Sequence, residues 1–200
     1  MKSKKDNWTD HYTRLAKKEN YPARSVYKLK EIQAKFKVIK KGNRILDLGC
    51  SPGSWSIYAG EVADKNGEII GIDLKQIDIS TISSFKMIVG DALNPDTFLD
   101  EIKHPFDIVL SDMAPATTGR KDIDAIRSYE LSEAAFSIAM KILKKGGNFV
   151  CKNFQSQDSK ILIDKVKKNF NKQKIFKPKS SRKASNEIFV IGLGFTDIMN

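Results

Sequence analysis

Five runs of Val, Ile, Leu and Phe recur along the chain after residue 42, and turn residues separate them from helical patterns. Their apolar residues are continuous rather than alternating, which predicts strands of a sheet that is covered on both faces. The predicted strands are 43–50, 68–73, 85–91, 106–112 and 147–154, and the predicted helices are 54–63, 95–101, 122–143 and 158–170. This alternation indicates a doubly wound α/β domain with a mostly parallel sheet.

The two ends of the chain complete the predicted fold. The last apolar runs, KQKIFKP and EIFVIGLGF, are separated only by KSSRKASN, which is too short for a crossover helix. They predict an antiparallel hairpin at one edge, and hence a seven-stranded Rossmann-like sheet with helices on both faces. Residues 1–42 predict a basic helical extension of the same domain, with a helix that starts near Pro22, and residues 43–200 form the α/β part.

Positive charge is concentrated near the two ends of the sequence. The net charge is +11; residues 1–42 contain 13 Lys or Arg against 4 Asp or Glu, and residues 160–187 contain 10 against 2. The rest of the chain is acidic, with 12 basic against 18 acidic residues. Two basic flanks around an acidic centre favour a polyanionic partner, with nucleic acid as the leading candidate. A lysine-rich composition without functional meaning is the alternative.

Several classes of protein fit the sequence poorly. The chain has no apolar stretch of the kind found in secretory signals or in the roughly 20-residue spans that cross a bilayer, so we expect a cytoplasmic protein without membrane contact. Cys50 and Cys151 lie in apolar segments without a C-x-x-C pattern, which predicts packing residues rather than a disulfide or zinc site. His11 and His104 stand outside every motif, and no metal site is predicted.

Four predicted strands end in or beside an aspartate: Asp47, Asp73, Asp91 and Asp112. Ligands of α/β sheets bind at the carboxyl ends of the strands, so these side chains predict one binding site. There Asp73 could accept hydrogen bonds from ribose hydroxyls and Asp91 one from an adenine amino group.

The loop after the first strand indicates the charge of the ligand. It reads DLGCSPG, a D-x-G-x-x-x-G pattern, and serines stand at positions 51 and 54, where a dinucleotide fingerprint requires glycine. Glycines allow close backbone approach, and the acid Asp47 suits a cationic group where a phosphate cradle would avoid one. A nicotinamide dehydrogenase is therefore disfavoured, and an ordinary glycine turn is the plain alternative.

Lys152 stands in an unusual place, within the apolar strand sequence VCKNF. A lysine that is partly removed from water can act as a general base near neutral pH. The alternative is a lysine whose amine reaches solvent along its apolar stem.

Five segments together resemble one family. GCSPGSWS, SDMAP, VCKNF, RSVYKL and KPKSSRKASNEIFVI are similar, across nearly the whole chain from about residue 20, to the RrmJ (FtsJ) family of ribose 2′-O-methyltransferases. The resemblance implies the S-adenosylmethionine-dependent methyltransferase fold, S-adenosylmethionine as cofactor, and a uridine of large-subunit (23S) ribosomal RNA as substrate. It also implies a catalytic tetrad of Lys28, Asp112, Lys152 and Glu187. The cofactor contacts indicated by the glycine motif and the resemblance are Asp47, Gly49, Gly53, Trp55, Asp73, Asp91 and Asp112.

The chain departs from the family pattern at a few positions. Ser54 stands where many relatives have glycine, Cys50 and Ser51 replace alanines, and Asn153 replaces a commonly apolar residue. Ser54 falls beside the methionine end of the cofactor, which puts affinity in question more than chemistry. Asp112 is followed by Met-Ala-Pro and not by the Pro-Pro-aromatic sequence typical of enzymes that methylate exocyclic or amide nitrogens, which argues against a base amino group as the acceptor.

We therefore expect Lys152 to accept the proton of a ribose 2′-hydroxyl and the basic flanks to bind phosphates of the RNA. The residues expected to contact RNA, besides Lys28, are Arg24, Lys30, Lys177, Lys179, Arg182 and Lys183. The chain is expected to act as a monomer on ribosomal RNA, free or within the large subunit. Methylation of a tRNA anticodon loop or an mRNA cap is the enzymatic alternative, and a non-catalytic RNA-binding protein that keeps a cofactor-shaped pocket is the other.

Overall fold

A computed structural model of the protein describes residues 4–102, 105–116 and 118–196, and within them seven strands and five helices. The strands are β1 (Arg44–Leu48), β2 (Glu68–Asp73), β3 (Phe85–Val89), β4 (Phe106–Ser111), β5 (Leu143–Phe154), β6 (Phe170–Phe176) and β7 (Glu187–Phe195). The helices are α1 (Lys4–Lys18), α2 (Val26–Phe36), α3 (Ser54–Ala63), α4 (Lys121–Ile142) and α5 (Ser159–Asn169).

All seven strands belong to one sheet, in the order β3-β2-β1-β4-β5-β7-β6. The first five strands pair in parallel, and β7 pairs antiparallel with both β5 and β6. The predicted mostly parallel sheet and its antiparallel edge hairpin are therefore confirmed. The strand order reverses between β1 and β4, which is the point where an open α/β sheet forms a crevice at its carboxyl edge.

Both faces of the sheet are covered, as the continuous apolar strands predict. One hydrophobic cluster joins the sheet to α4 and α5, and a second joins it to α2 and α3. Leu29 and Ile32 of α2 lie fully inside the second cluster, and burial of each side chain contributes roughly 1.5–3 kcal/mol. Because α2 is anchored on the sheet in this way, the side chains on its other faces have fixed positions. Cys50 and Cys151 are buried free thiols, which confirms their packing role.

Element boundaries differ from the prediction at three places. Helix α2 begins at Val26 and not near Pro22, because residues 22–25 form the turn that joins α1 to α2. Residues 95–101 form two short 3₁₀ turns instead of an α-helix. Strand β5 begins at Leu143, which pairs with Phe106, so LKKGG belongs to an irregular strand start and not to the end of a helix.

Among the described residues, no helix is both long and apolar enough to cross a membrane. His11 is exposed, and His104 lies outside the described residues.

Candidate active site

The loop after β1 is built around Gly49. Its φ of +74° lies in the left-handed region, and a Cβ on this residue would approach the Cγ of Met113 to 2.5 Å. The Gly49 amide donates to the carbonyl of Ile72 at 2.8 Å, which ties the loop to β2. Only glycine permits this close approach between the loop after β1 and the segment that follows β4.

Asp47, near the end of β1, is a buried carboxyl group with an incomplete set of partners. Its Oδ2 accepts a hydrogen bond from the Ser56 hydroxyl at 2.6 Å, whereas Oδ1 is buried and has no hydrogen-bond partner among the described residues. Burial raises the pKa of Asp47 to about 7; the Ser56 hydrogen bond opposes this rise, and the charges of Asp112 and Asp73 add to it. Such a group gains most from a cationic ligand that supplies the missing partner.

A cavity of about 320 Å³ lies at the carboxyl edge, beside the reversal of strand order. Predicted residues that line it are Gly49, Asp73, Asp91 and Asp112. Asp73 accepts hydrogen bonds from the amides of Ser51 and Lys75, so it holds the glycine loop as well as facing the cavity. Asp91 accepts one from the Leu93 amide. The structure thus brings three of the four strand-end aspartates to one cavity, and the fourth, Asp47, lies beneath the loop.

Two predicted cofactor residues have other positions. Gly53, with a φ of +106°, precedes the first residue of α3, and a Cβ there would meet Ile79. The Trp55 indole is buried, donates to the Ser25 carbonyl at 2.9 Å and stacks on Phe189 at 5.7 Å between centroids. Neither residue lines the cavity, and their direct contact with a cofactor stays a prediction.

The four tetrad residues form one connected cluster. In the β5–β7 ladder Lys152 pairs with Phe189 and Phe154 pairs with Glu187, so Lys152 and Glu187 project from the same face of the sheet. Helix α2 covers that face and contributes Lys28. The Lys152 amine lies 3.0 Å from Asp112 Oδ1 and also donates to the Asp112 backbone carbonyl.

Lys28 connects the remaining members of the cluster. Its amine lies 3.5 Å from Asp112 Oδ1 and 2.9 Å from Glu187 Oε2. Burial acts to lower the pKa of Lys28, but Asp112 and Glu187 outweigh it, and the net direction is upward. Lys28 is therefore held as an ammonium, and it links Glu187 to the carboxylate that also contacts Lys152.

The basic flanks of the sequence meet beside this cluster. Arg24 donates to the carbonyl of Ser180 at 2.6 Å, and both carboxylate oxygens of Glu31 accept backbone hydrogen bonds, from Lys179 and Ser180. Burial and the charge of Arg182 lower the pKa of Arg24, while Glu187 opposes this effect. The N-terminal segment and the β6–β7 loop thus form one positively charged rim.

The predicted RNA-binding residues divide into two groups. Lys179, Arg182 and Lys183 are exposed in the β6–β7 loop. The other three already have protein partners: Arg24 donates to the Ser180 carbonyl, the Lys30 amine pairs with Glu19 at 2.6 Å, and the Lys177 amine donates to the Ser185 carbonyl at 2.8 Å. Their contact with RNA stays a prediction.

Sequence reasoning missed two residues that organise the site. Ser56 supplies the hydrogen bond to Asp47, and its position nine residues later, on the helix that follows the glycine loop, was the available signal. Glu31 holds the β6–β7 loop against α2; its signal was a carboxylate on a helix that otherwise carries lysines.

Comparison with known proteins agrees with this geometry. The model of the FtsJ-like methyltransferase family matches residues 21–195. The chain belongs to the FtsJ-like methyltransferase family. Its similarity to the RrmJ (FtsJ) family, predicted from the motifs, is thereby confirmed.

The relatives of the chain match it over almost their whole length. The ribosomal RNA large subunit methyltransferase E of Desulforapulum autotrophicum is 54% identical over 194 residues, which cover 96% of both chains. The protein of the same name from Bdellovibrio bacteriovorus is 49% identical over 191 residues, 94% of this chain and 97% of that one.

Solved structures show the same architecture. A ribosomal RNA methyltransferase from Plasmodium falciparum is 32% identical with a TM-score of 0.77, over 88% of this chain and 98% of that one. The fibrillarin of Aeropyrum pernix, solved with natively bound S-adenosyl-L-methionine, is 16% identical with a TM-score of 0.58, over 84% of this chain and 76% of that one. The predicted methyltransferase fold is confirmed.

Proposed function

We propose that this protein transfers a methyl group from S-adenosylmethionine to a ribose 2′-hydroxyl of large-subunit ribosomal RNA, with Lys152 as the general base. The observation that carries the proposal is the connected cluster of Lys28, Asp112, Lys152 and Glu187, in which Asp112 also lines the carboxyl-edge cavity. Relatives that cover nearly the whole chain are named for methylation of the large-subunit RNA.

The acidic groups of this edge suit S-adenosylmethionine in charge. The unpartnered buried oxygen of Asp47 calls for a cationic hydrogen-bond donor, and the ligand carries an ammonium and a sulfonium. We assign Asp47 to the methionine end, Asp73 to the ribose hydroxyls and Asp91 to the adenine amino group. When bound, S-adenosylmethionine supplies a methyl group that is already attached to a good leaving group.

The reaction then depends on activation and alignment of the RNA hydroxyl. In its neutral form the Lys152 amine would accept the hydroxyl proton while the ribose oxygen bonds to the methyl carbon; the bond from that carbon to sulfur would break, and the thioether S-adenosylhomocysteine would leave. Asp112 orients this amine through its side chain and its carbonyl. Lys28 stays charged between Asp112 and Glu187 and contacts both carboxylates.

RNA binding is assigned to the positive rim. Arg24 and Arg182 lie close enough for the charge of Arg182 to lower the pKa of Arg24, and a bound phosphate would relieve the repulsion between the two charges.

We propose that the protein acts as a monomer in the cytoplasm, where the large ribosomal subunit is its partner. The names of the relatives favour this substrate over a tRNA or an mRNA cap.

The test is the identity of the methylated product. Purified protein is incubated with tritiated S-adenosylmethionine and large-subunit RNA from cells that lack the protein, and the RNA is digested to nucleosides. We expect label in a 2′-O-methylated nucleoside. Label in a base methyl group would refute the ribose assignment. Cofactor and RNA binding without transfer would favour the non-catalytic alternative.

A further inference from the structure

A second concavity, which we call the aromatic groove, lies between the N-terminal helices and the β6–β7 hairpin. It is open to solvent and has a volume of about 620 Å³. Its lining includes three aromatic residues and three lysines: Tyr12, Tyr27, Phe176, Lys30, Lys35 and Lys179. Because the cofactor cavity has a separate set of lining residues, the aromatic groove is a distinct candidate site.

The position of the groove is set by α2. Tyr27, Glu31 and Lys35 lie on one face of this helix, at spacings of four residues, and Lys28 lies at the border of that face. At 1.5 Å per residue, Lys35 lies about 10 Å along the helix axis from Lys28. The groove therefore leads away from the tetrad over a length of about three stacked nucleotides, at about 3.4 Å for each nucleotide of one strand.

Rings and cations alternate along the groove. Tyr12 and Tyr27 pack with centroids 5.2 Å apart, and the half-buried Phe176 meets Phe36 edge to face at 5.5 Å. The Lys35 amine lies 4.8 Å from the centre of the Phe176 ring. Aromatic faces beside mobile cations are the features with which proteins bind single-stranded nucleic acid, because every base has a face that can stack.

The one carboxylate of the groove is already engaged. Glu31 accepts hydrogen bonds from the amides of Lys179 and Ser180, at 2.7 and 2.8 Å. Its charge is thus directed at the backbone of the β6–β7 loop, and the same bonds hold Lys179 at the rim. A phosphate that follows the groove would meet lysine side chains.

We propose that the aromatic groove binds an unstacked nucleotide that flanks the target ribose, with its base on Phe176 and its phosphate near Lys35 and Lys179. This inference rests on the proposed function for its orientation, since the tetrad fixes where the target ribose lies. Phe176 is a substrate-positioning residue in this account, and it has no part in the chemistry.

The test uses an RNA decamer of uridines that contains one central 2-aminopurine, whose fluorescence falls when the base stacks. Wild-type protein should bind it and quench it. Phe176→Leu keeps an apolar side chain but removes the stacking face, so binding should weaken about five- to tenfold and the quenching should be lost. Phe176→Trp should retain both. Tyr12→Leu provides a second variant in the same groove.

Ile175→Ala is the matched control, because Ile175 is an exposed apolar neighbour on the same strand whose side chain points to the opposite face. Thermal unfolding and S-adenosylmethionine binding of each variant report the fold. If Phe176→Leu and Tyr12→Leu both keep wild-type affinity and quenching, the proposal for the groove is overturned. Binding of the RNA by the wild type without quenching would overturn it too, as expected if a peptide segment occupies the groove.

A parallel methyl-transfer assay separates the two proposals. Methyl transfer by a protein whose RNA affinity and quenching are unchanged in both Phe176→Leu and Tyr12→Leu would overturn the proposal for the groove and leave the proposed function intact. If the protein transfers no methyl group but its quenching depends on the Phe176 ring, the proposal for the groove is supported and the proposed methyltransferase function is refuted.

Discussion

Asp47 should destabilise the protein in the absence of cofactor, because its buried carboxyl group is forced to ionise without a full set of partners. Its pKa rises from an ordinary 3.8 to about 7. For an acid whose pKa is raised on folding, the folded state binds more protons than the unfolded state between these two values, so stability falls as the pH rises through this window. At about 1.4 kcal/mol per pKa unit, the loss between pH 5 and pH 8 is roughly 2 to 3 kcal/mol.

The substitution Asp47→Asn removes this titration and keeps an oxygen acceptor for Ser56. We expect the free energy of unfolding of the variant, relative to wild type, to rise by roughly 2 to 3 kcal/mol between pH 5 and pH 8, as measured by urea denaturation without cofactor. Any fixed penalty for burying the amide is present at both pH values and cancels in this difference.

The exposed Asp100 provides a control, and Asp100→Asn should change stability little at either pH. The same Asp47→Asn variant should bind S-adenosylmethionine more weakly than wild type, since it lacks the charge that we assign to the methionine end of the ligand. A stability difference between Asp47→Asn and wild type that stays constant from pH 5 to pH 8 would refute the reasoning about this carboxyl group.

Two further predictions concern the glycine loop and the basic rim. Gly49 and Gly146 both have a positive φ, but only at Gly49 does a Cβ meet a neighbour. Gly146→Ala should therefore lose roughly 1–2 kcal/mol of stability in thermal unfolding, and Gly49→Ala should lose more. Only Gly49→Ala should lose S-adenosylmethionine binding by calorimetry. If about four phosphates are neutralised, RNA affinity should fall with a log–log salt slope of about −3, and the double variant Arg182→Ala/Lys183→Ala should reduce the slope by about 1.4. Equal cofactor binding by both alanine variants, or a flat salt response, would contradict the respective assignment.

The sheet could be predicted from sequence because its strands carry the signal in local composition. Continuous apolar runs identified β1 to β5, and the short KSSRKASN connection identified the hairpin. The errors fell where tertiary contacts decide the local structure. Pairing of Leu143 with Phe106 extends β5 backward into LKKGG, whose glycines and lysines by themselves favour a helix end.

The residues of the site that could be predicted lie at one edge of the sheet or within one sequence motif. Asp73, Asp91 and Asp112 meet at the cavity because parallel strands end at the same edge. Within the tetrad, Lys28 and Glu187 were implied by resemblance alone, since they are 159 residues apart in sequence and meet only after α2 and β7 pack together. The partners of Asp47 and the aromatic groove likewise depend on packing between distant segments, which no local pattern records.

The most direct test of the central claim is the single-turnover rate of ribose methylation by Lys152→Ala at saturating S-adenosylmethionine. The control is Lys141→Ala, which changes an exposed lysine near the end of α4, at the opposite edge of the sheet. Removal of the general base should lower the rate by about 10²–10⁴-fold while S-adenosylmethionine binding stays close to wild type. A rate for Lys152→Ala within tenfold of wild type would contradict the account.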